Sequence, residues 1–148
     1  MANTFYAHNS NAGGVLYKID GTTLAVTDLP ALSGASDFGL AVSPDGSTLI
    51  AAHVASNTIA TLDLANPTAW VDTATDMSAF TTPELLYQPS GRIIIVDRYT
   101  GIWYIPAGTW PDSPTLLTNV VPGASNVLQA VLSPDGTKVY CAYTNQYG

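Results

Sequence analysis

Basic residues and cysteine are both scarce in this 148-residue chain, and each shortage argues against a class of function. Four Lys and Arg stand against eleven Asp and Glu, which gives a formal net charge of −7. A surface with this balance repels phosphate backbones and anionic lipids, so the sequence disfavours nucleic-acid and membrane partners. Cys141 is the only cysteine, so no intrachain disulfide is possible, and its alternating apolar setting indicates a buried, unreactive thiol.

Long hydrophobic runs and a basic leader are also missing. The run IIIV at 93–96 is, like every other apolar run in the chain, far too short to cross a bilayer. Residues 1–14 have neither the basic start nor the apolar stretch of a secretory signal. The sequence therefore predicts a cytoplasmic or virion-associated protein. Only 10% of residues are charged, so the polar surface must come from Thr, Ser, Asn and Gln, as in β-rich proteins and in proteins covered by partners.

What the chain does contain is an internal repeat with a spacing of 45 residues. Its markers are SPDG at 43–46, the weaker copy QPSG at 88–91, and SPDG at 133–136. Proline sets φ for a tight turn, aspartate bonds its local backbone, and glycine accepts a positive φ, so each marker predicts a turn. His8 and His53 are also 45 residues apart, which extends the repeat to the start of the chain.

Short apolar segments recur around these turns and predict about four strands per repeat. They lie at 3–8, 14–20, 24–29, 39–42, 47–53, 58–64, 69–73, 84–87, 92–98, 101–107, 114–119, 128–132 and 137–143. Four short strands per 40–50 residues, joined by tight turns, are typical of a β-propeller blade. The predicted fold is therefore all-β, a single propeller-type domain with blade parts at 1–37, 38–82, 83–126 and 127–148, the terminal blades being incomplete.

One part of the chain resembles a known repeat family. The segment LAVSPDGSTLIAAHVASNTIATLDL, within 38–64, resembles the YVTN-type β-propeller repeat, and WD-repeat-like propellers share its turn. The resemblance is fair over 1–20 and 127–145 and thin over 83–107. It implies the propeller fold but no particular activity, because propellers host binding, scaffolding and catalysis alike.

The resemblance breaks at the end of the second strand, where the family usually has Asn. This sequence has His8, His53, Arg98 and Tyr143 there, so no ligand contact of that Asn is carried over. The four residues could instead form a polar ring around a ligand, although polar caps on strand ends are the favoured interpretation. Trp110, in a predicted loop, could stack on a sugar or anchor a protein partner, or could pack under its loop.

No catalytic or cofactor-binding residue is assigned. Two histidines do not make a zinc site, and there is no phosphate-binding loop, dinucleotide fingerprint or nucleophile elbow. Asp45 and Asp135 lie in the SPDG turns, where local hydrogen bonding explains them. Glu84 is the only glutamate, which gives poor support to the acidic metal site of gluconolactonase-type propellers.

The chain supplies a little more than three blades, whereas a closed ring needs about four to eight. Exposed blade faces and strand edges invite aggregation unless something covers them. Three arrangements remain open. Two chains could alternate in a six-bladed ring, the chain could be a fragment of a longer propeller, or a larger assembly could cover the ends with different proteins.

The sequence therefore predicts a non-enzymatic structural or interaction module that assembles through its blades. Its expected partners are other copies of itself or neighbouring structural proteins, as in a component of a phage virion. The alternative is a glycan- or small-ligand-binding propeller, either lectin-like or a relic of a lactonase-type enzyme.

Overall fold

The computed structural model of the chain describes residues 4–9, 14–32, 39–81, 83–97, 99–109, 111–117 and 124–145. Within these ranges the protein is all-β, with four antiparallel sheets and a single short 3-10 helix at Val54–Ser56. None of the described helical structure has the length and hydrophobicity needed to cross a membrane. The predicted all-β class is thus confirmed.

The sheets follow one another in chain order, and each is a simple meander. Sheet 1 contains β1 (Thr4–Asn9), β2 (Val15–Asp20) and β3 (Val26–Leu29). Sheet 2 contains β4 (Leu40–Val42), β5 (Thr48–His53), β6 (Thr58–Asp63) and β7 (Val71–Asp72). Sheet 3 contains β8 (Pro83–Tyr87), β9 (Ile93–Asp97), β10 (Gly101–Ile105) and β11 (Thr115–Leu116), and sheet 4 contains β12 (Ala124–Leu132) and β13 (Val139–Asn145). Every segment predicted as a strand overlaps one of these.

The two SPDG turns fold in the same way. In the first, the Gly46 N–H donates to the Ser43 carbonyl at 2.8 Å, and the Thr48 N–H donates to the Ser43 hydroxyl at 2.9 Å. The turn at 133–138 repeats both bonds, at 2.8 and 3.0 Å. Gly46 has a φ of 74°, in the region that favours glycine. The turn chemistry predicted from the repeat is therefore present at both sites.

Sheets 2 and 3 each present one face to the sheet before them and the other face to the sheet after them. In β5, Leu49 and Ala51 pack against sheet 1, whereas Ile50 and Ala52 pack against sheet 3. We call these the preceding face and the following face. Strand pairing also shows which residues of the other sheets lie in the place that Ile50 has in sheet 2. They are Tyr6 in sheet 1, Ile94 in sheet 3 and Tyr140 in sheet 4.

A hydrophobic core fills each of the three junctions between the described sheets. Leu16 and Leu29 of sheet 1 pack against Leu49 and Leu62 of sheet 2. The next junction buries, among others, Ile50, Ile59, Met77, Leu85, Ile93, Ile95 and Ile105. The last buries Ile94, Val96, Ile102 and Ala130. Each apolar side chain removed from water favours packing by roughly 1.5–3 kcal/mol, so consecutive sheets are held chiefly by these cores.

Side chain to backbone hydrogen bonds also cross every described junction. They are Trp70 Nε1 to the Pro30 carbonyl at 2.8 Å, Thr75 Oγ1 to the Pro111 carbonyl at 3.0 Å, Gln88 Nε2 to the Gly136 carbonyl at 2.8 Å, and the Ala130 N–H to Glu84 Oε2 at 2.8 Å. Such bonds are directional, whereas apolar contact is not. They therefore set the position of each sheet on its neighbour.

The first strands of sheets 2 and 3 come very close together. A Cβ atom added to Gly39, next to β4, would lie 2.6 Å from the Leu85 nitrogen and 2.6 Å from the Pro83 oxygen in β8. Real Cβ atoms are never this close to backbone, so only glycine fits where the two strands meet.

Adjacent aromatic residues of β10 serve two different junctions. Trp103 packs edge-on against Phe80 in the junction with sheet 2, with ring centroids 5.3 Å apart and an interplanar angle of 88°. Tyr104 packs in the junction with sheet 4, and the Arg92 guanidinium carbon lies 5.3 Å from its ring centroid. The strand alternation places these two large side chains on opposite faces.

Candidate functional site

The end of β5 carries the polar cluster that looks most like catalytic machinery. His53 is buried, and its Nδ1 lies 2.6 Å from Ser56 Oγ and 3.2 Å from Asp72 Oδ1. The Thr58 hydroxyl donates to the same Asp72 oxygen at 2.9 Å. In a proton relay the carboxylate and the hydroxyl engage opposite nitrogens of the imidazole ring, but here both contact one nitrogen. The cluster ties the end of β5 to β6 and β7.

The strand register separates the two histidines that the 45-residue spacing pairs. His8 lies opposite Leu16 in β2, whereas His53 lies opposite Thr58 in β6. The aspartates that end β2 and β6 pair with Thr4 and Thr48, so these two threonines are equivalent. His53 lies five residues after Thr48, and the residue five after Thr4 is Asn9, whereas His8 is only four after it. The predicted equivalence of the two histidines is therefore wrong. Neighbouring residues of a strand point to opposite faces, so His8 and His53 do not share an orientation.

The corresponding position in sheet 3 belongs to Asp97 and not to Arg98. The turn between β8 and β9 is one residue shorter than the SPDG turns, which moves the register by one. Arg98 itself lies outside the described residues, as does Trp110. Tyr143 lies in β13 at the position equivalent to His53, and its side chain is not among those described. A polar ring formed by the predicted residues stays a prediction.

Asp97 is fully buried and its carboxylate is used by the backbone. Oδ2 accepts the Thr81 N–H at 2.8 Å, and Oδ1 accepts the Tyr99 and Thr100 N–H groups at 3.0 and 2.9 Å. The Oδ1 bonds shape the turn between β9 and β10, and the Oδ2 bond ties that turn to the segment before β8. The signal in the sequence is an aspartate at the end of one strand and four residues before the next, a common arrangement for a side chain that caps a turn.

Most acidic side chains among the described residues have a similar structural role. Seven accept a hydrogen bond from a backbone N–H group: Asp20, Asp45, Asp63, Asp76, Glu84, Asp97 and Asp135. In the SPDG turn, the Ser43 hydroxyl and the N–H and hydroxyl of Ser47 lower the pKa of Asp45 to about 2. Hydrogen bonds led by the Ser133 hydroxyl lower the pKa of Asp135 in the same way. A general acid needs a raised pKa, so these carboxylates have the opposite character.

No three His, Cys, Asp or Glu side chains are grouped to hold a metal ion within the ranges that the structure describes.

The two ends of the sheet stack expose apolar side chains. At one end, the preceding face of sheet 1 carries Phe5, Ala7, Tyr17, Ile19 and Val26. Phe5 is 57% exposed and Val26 is 59% exposed. Asp28, which pairs with Tyr17, adds one charged side chain to this otherwise mainly apolar face.

At the other end, the following face of sheet 4 carries Val131 and Tyr140, which are 49% and 56% exposed. They border an open concavity of about 290 Å³ that is also lined by Gln129, Ala130, Cys141 and Ala142. The opposite face of the same sheet packs Ala130, Val139 and Cys141 into the junction with sheet 3. Both faces of this two-stranded sheet are therefore largely apolar, and no other described sheet covers the following face.

Neither a search of protein-family models nor a search of curated proteins finds a match to this chain. Its class therefore rests on the fold. It is an all-β protein of antiparallel sheets that pack face to face in chain order, with an apolar face at each end of the described stack.

Proposed function

We propose that this chain is a non-enzymatic structural module of propeller-type blades, which works by packing its end faces and edges against other sheets of a larger assembly, such as a phage virion. The observation that carries the proposal is that the two kinds of sheet face, preceding and following, which pack together inside the stack, are also the faces exposed at its ends. The faces that pack in the three described junctions occur again at the two ends, with Phe5 and Tyr140 more than half exposed. Apolar faces of this kind on a protein surface mark interaction sites.

The propeller arrangement is supported by where neighbouring sheets come closest. Gly39, at the start of β4, allows that strand to approach β8, and the Glu84 carboxylate of β8 reaches the backbone of β12. These are the first strands of their sheets. A blade is a four-stranded meander whose first strand lies nearest the central axis, and sheets 2 and 3 each have four strands in meander order. The resemblance of residues 38–64 to the YVTN-type repeat favours the same arrangement.

The non-enzymatic role is supported by how the polar groups are used. The Asp97 carboxylate, the aspartates of the SPDG turns and Glu84 all accept backbone N–H groups. Ser56 Oγ and Asp72 Oδ1 both contact the same ring nitrogen of His53, Nδ1. Side chains that are fixed in this way stabilise turns and strand ends. In the SPDG turns these hydrogen bonds lower the pKa of Asp45 and Asp135, whereas a general acid needs a raised pKa.

Electron microscopy of the native assembly that contains this chain tests the proposal. The expected map shows radial sheets whose end faces are covered by further sheets. A glycan array with the purified chain serves as the competing test. Specific glycan binding that is lost in Trp110→Ala, while circular dichroism and melting are unchanged, would contradict the proposal and support the glycan-binding alternative.

A further inference from the structure

We infer that the two end faces bind each other between two copies of this chain, so that the following face of sheet 4 packs on the preceding face of sheet 1 of a second copy. The inference rests on the proposed function and names the partner. It extends a contact that the chain already makes, because each described junction joins a following face to a preceding face.

The following face of sheet 4 repeats the pattern of the following face of sheet 2. Strand pairing makes Val131 equivalent to Ala41, Tyr140 equivalent to Ile50, and Ala142 equivalent to Ala52. In sheet 2 these positions lie in the core shared with sheet 3. Sheet 4 therefore offers a surface of the kind that receives a preceding face.

The preceding face of sheet 1 repeats the pattern of the face that sheet 3 presents to sheet 2. The equivalent pairs are Phe5 with Ile93, Ala7 with Ile95, Tyr17 with Trp103, and Ile19 with Ile105. All four residues of sheet 3 pack in the junction with sheet 2. By this correspondence, Phe5 and Ile19 of one copy insert beside Val131 and Tyr140 of the other, at the open concavity.

The two faces are unlike, so the contact is heterologous. Phe5 lies on the end face of sheet 1 and Tyr140 on the end face of sheet 4, neither of which is covered by another described sheet. A contact between two copies of the same face would match large aromatic side chains with each other and leave the concavity of sheet 4 unfilled. A heterologous contact leaves each copy with one further face to bind, so pairs close into a ring or extend.

Charge predicts how salt affects the contact. Each chain carries a formal net charge of −7, so two copies repel each other at low ionic strength. Added salt screens that repulsion, while the apolar contact remains. Association is therefore expected to strengthen with sodium chloride, which is the opposite of what a contact held by ion pairs would show.

Light scattering across a concentration series tests the inference. Wild-type protein is expected to show a mass of two chains or a higher multiple of 15.5 kDa. Phe5→Asp and Tyr140→Asp each place a charge on one end face and are expected to weaken association by at least about tenfold, as for a central apolar contact. Val71→Asp is the matched control, because Val71 is 63% exposed on β7, away from both end faces.

Mixing the two variants tests which face binds which. Phe5→Asp keeps an intact sheet 4 face and Tyr140→Asp keeps an intact sheet 1 face, so an equimolar mixture is expected to form a pair through one junction. Failure of the mixture to associate, while each variant alone is monomeric and folded by circular dichroism, would overturn the heterologous contact.

Two other outcomes would overturn the inference while leaving the proposed function to be judged by electron microscopy. One is a wild-type chain that stays monomeric at every concentration and salt, which would mean that a different chain or a longer polypeptide covers the faces. The other is wild-type association that both variants retain in full, which would place the contact elsewhere.

Discussion

Gln88, in the turn between β8 and β9, donates its side-chain amide to the backbone carbonyl of Gly136, in the corresponding turn of the next sheet, at 2.8 Å. Gln88 stands where the SPDG turns have serine. Ser43 and Ser133 use their hydroxyls inside their own turns, whereas the longer glutamine side chain reaches its neighbour. Pro89 packs directly against Gly136, so a side chain there would collide with the proline ring. Glutamine in place of the serine of the repeat thus links the turns of two neighbouring sheets.

Replacing Gln88 with alanine is expected to lower the free energy of unfolding by about 1–3 kcal/mol, because the buried glutamine is lost and the Gly136 carbonyl is left without this partner. Urea denaturation followed by circular dichroism measures the change. Ser90→Ala, an exposed position in the same turn, is the matched control and is expected to change stability by less than about 0.5 kcal/mol. Equal effects of the two substitutions would mean that the hydrogen bond contributes little.

Replacing Gly39 with alanine is expected to destabilise the protein by about 1–3 kcal/mol, since its Cβ would collide with the backbone of β8. Gly46→Ala is expected to be destabilising for another reason. Its φ is 74° and no atom lies within 4 Å of an added Cβ, so only backbone strain opposes alanine.

Asparagine distinguishes these two causes because it tolerates a positive φ but is larger than alanine. Thermal melting is expected to show Gly46→Asn more stable than Gly46→Ala, and Gly39→Asn less stable than Gly39→Ala. A gain in stability for Gly39→Asn over Gly39→Ala would show that space is not what requires glycine beside Leu85.

Acid is expected to destabilise the protein through Asp45. Its pKa is lowered from 3.8 to about 2 by hydrogen bonds that exist only in the folded state, so the unfolded state takes up a proton first. The stabilisation is complete above about pH 4 and is lost as the pH falls towards 2. Urea midpoints at pH 5, 4, 3 and 2 should therefore fall less steeply for Asp45→Asn than for wild type.

Asp112→Asn, an exposed position between β10 and β11, is the control for this experiment. Ser43→Ala removes the largest cause of the lowered pKa and is expected to reduce the slope between pH 4 and 2 while keeping the carboxylate. Identical slopes for wild type and Asp45→Asn would rule out Asp45 as a source of the acid sensitivity.

The Cys141 thiol is expected to react slowly with a thiol reagent at pH 8. Burial, and then the negative charge of Glu84, raise the pKa of Cys141, so less of the reactive thiolate is present. The reaction should accelerate when urea unfolds the chain. Glu84→Gln removes the charge but keeps an oxygen that can accept the Ala130 N–H, so a faster reaction of the folded variant is expected. A folded wild-type protein that reacts as fast as the unfolded chain would contradict this prediction.

The strands and turns could be predicted because their signals are local. Alternating apolar residues identify strands, and the chemistry of Pro, Asp and Gly identifies the turns at 43–46 and 133–136. The sequence also indicated that Asp45 and Asp135 are structural, and their hydrogen bonds bear this out.

The candidate site was harder to predict because register is not a local property. The loop after β1 has one residue more than the loop after β5, and the turn after β8 has one fewer than the SPDG turns. Each difference moves a strand by one position and exchanges its two faces. The constant spacing of 45 residues therefore matched His8 with His53, and Arg98 with both, although the register aligns Asn9, His53 and Asp97.

Contacts between sheets were beyond prediction because the partners are distant in the chain. Gln88 and Gly136 are 48 residues apart, and four strands separate Gly39 from β8 in the chain. In the sequence these contacts are marked only by departures from the expected residue. Glutamine replaces the serine of the turn, and glycine precedes a strand where a larger residue would be usual.

Every described sheet has the same two unlike faces, and this has an evolutionary consequence. An in-frame duplication or deletion of one 45-residue unit would change the length of the stack and leave its outermost surfaces with their original partners. Copy number can therefore drift without compensating mutations elsewhere, and related genes that differ by whole units are expected to encode chains able to co-assemble.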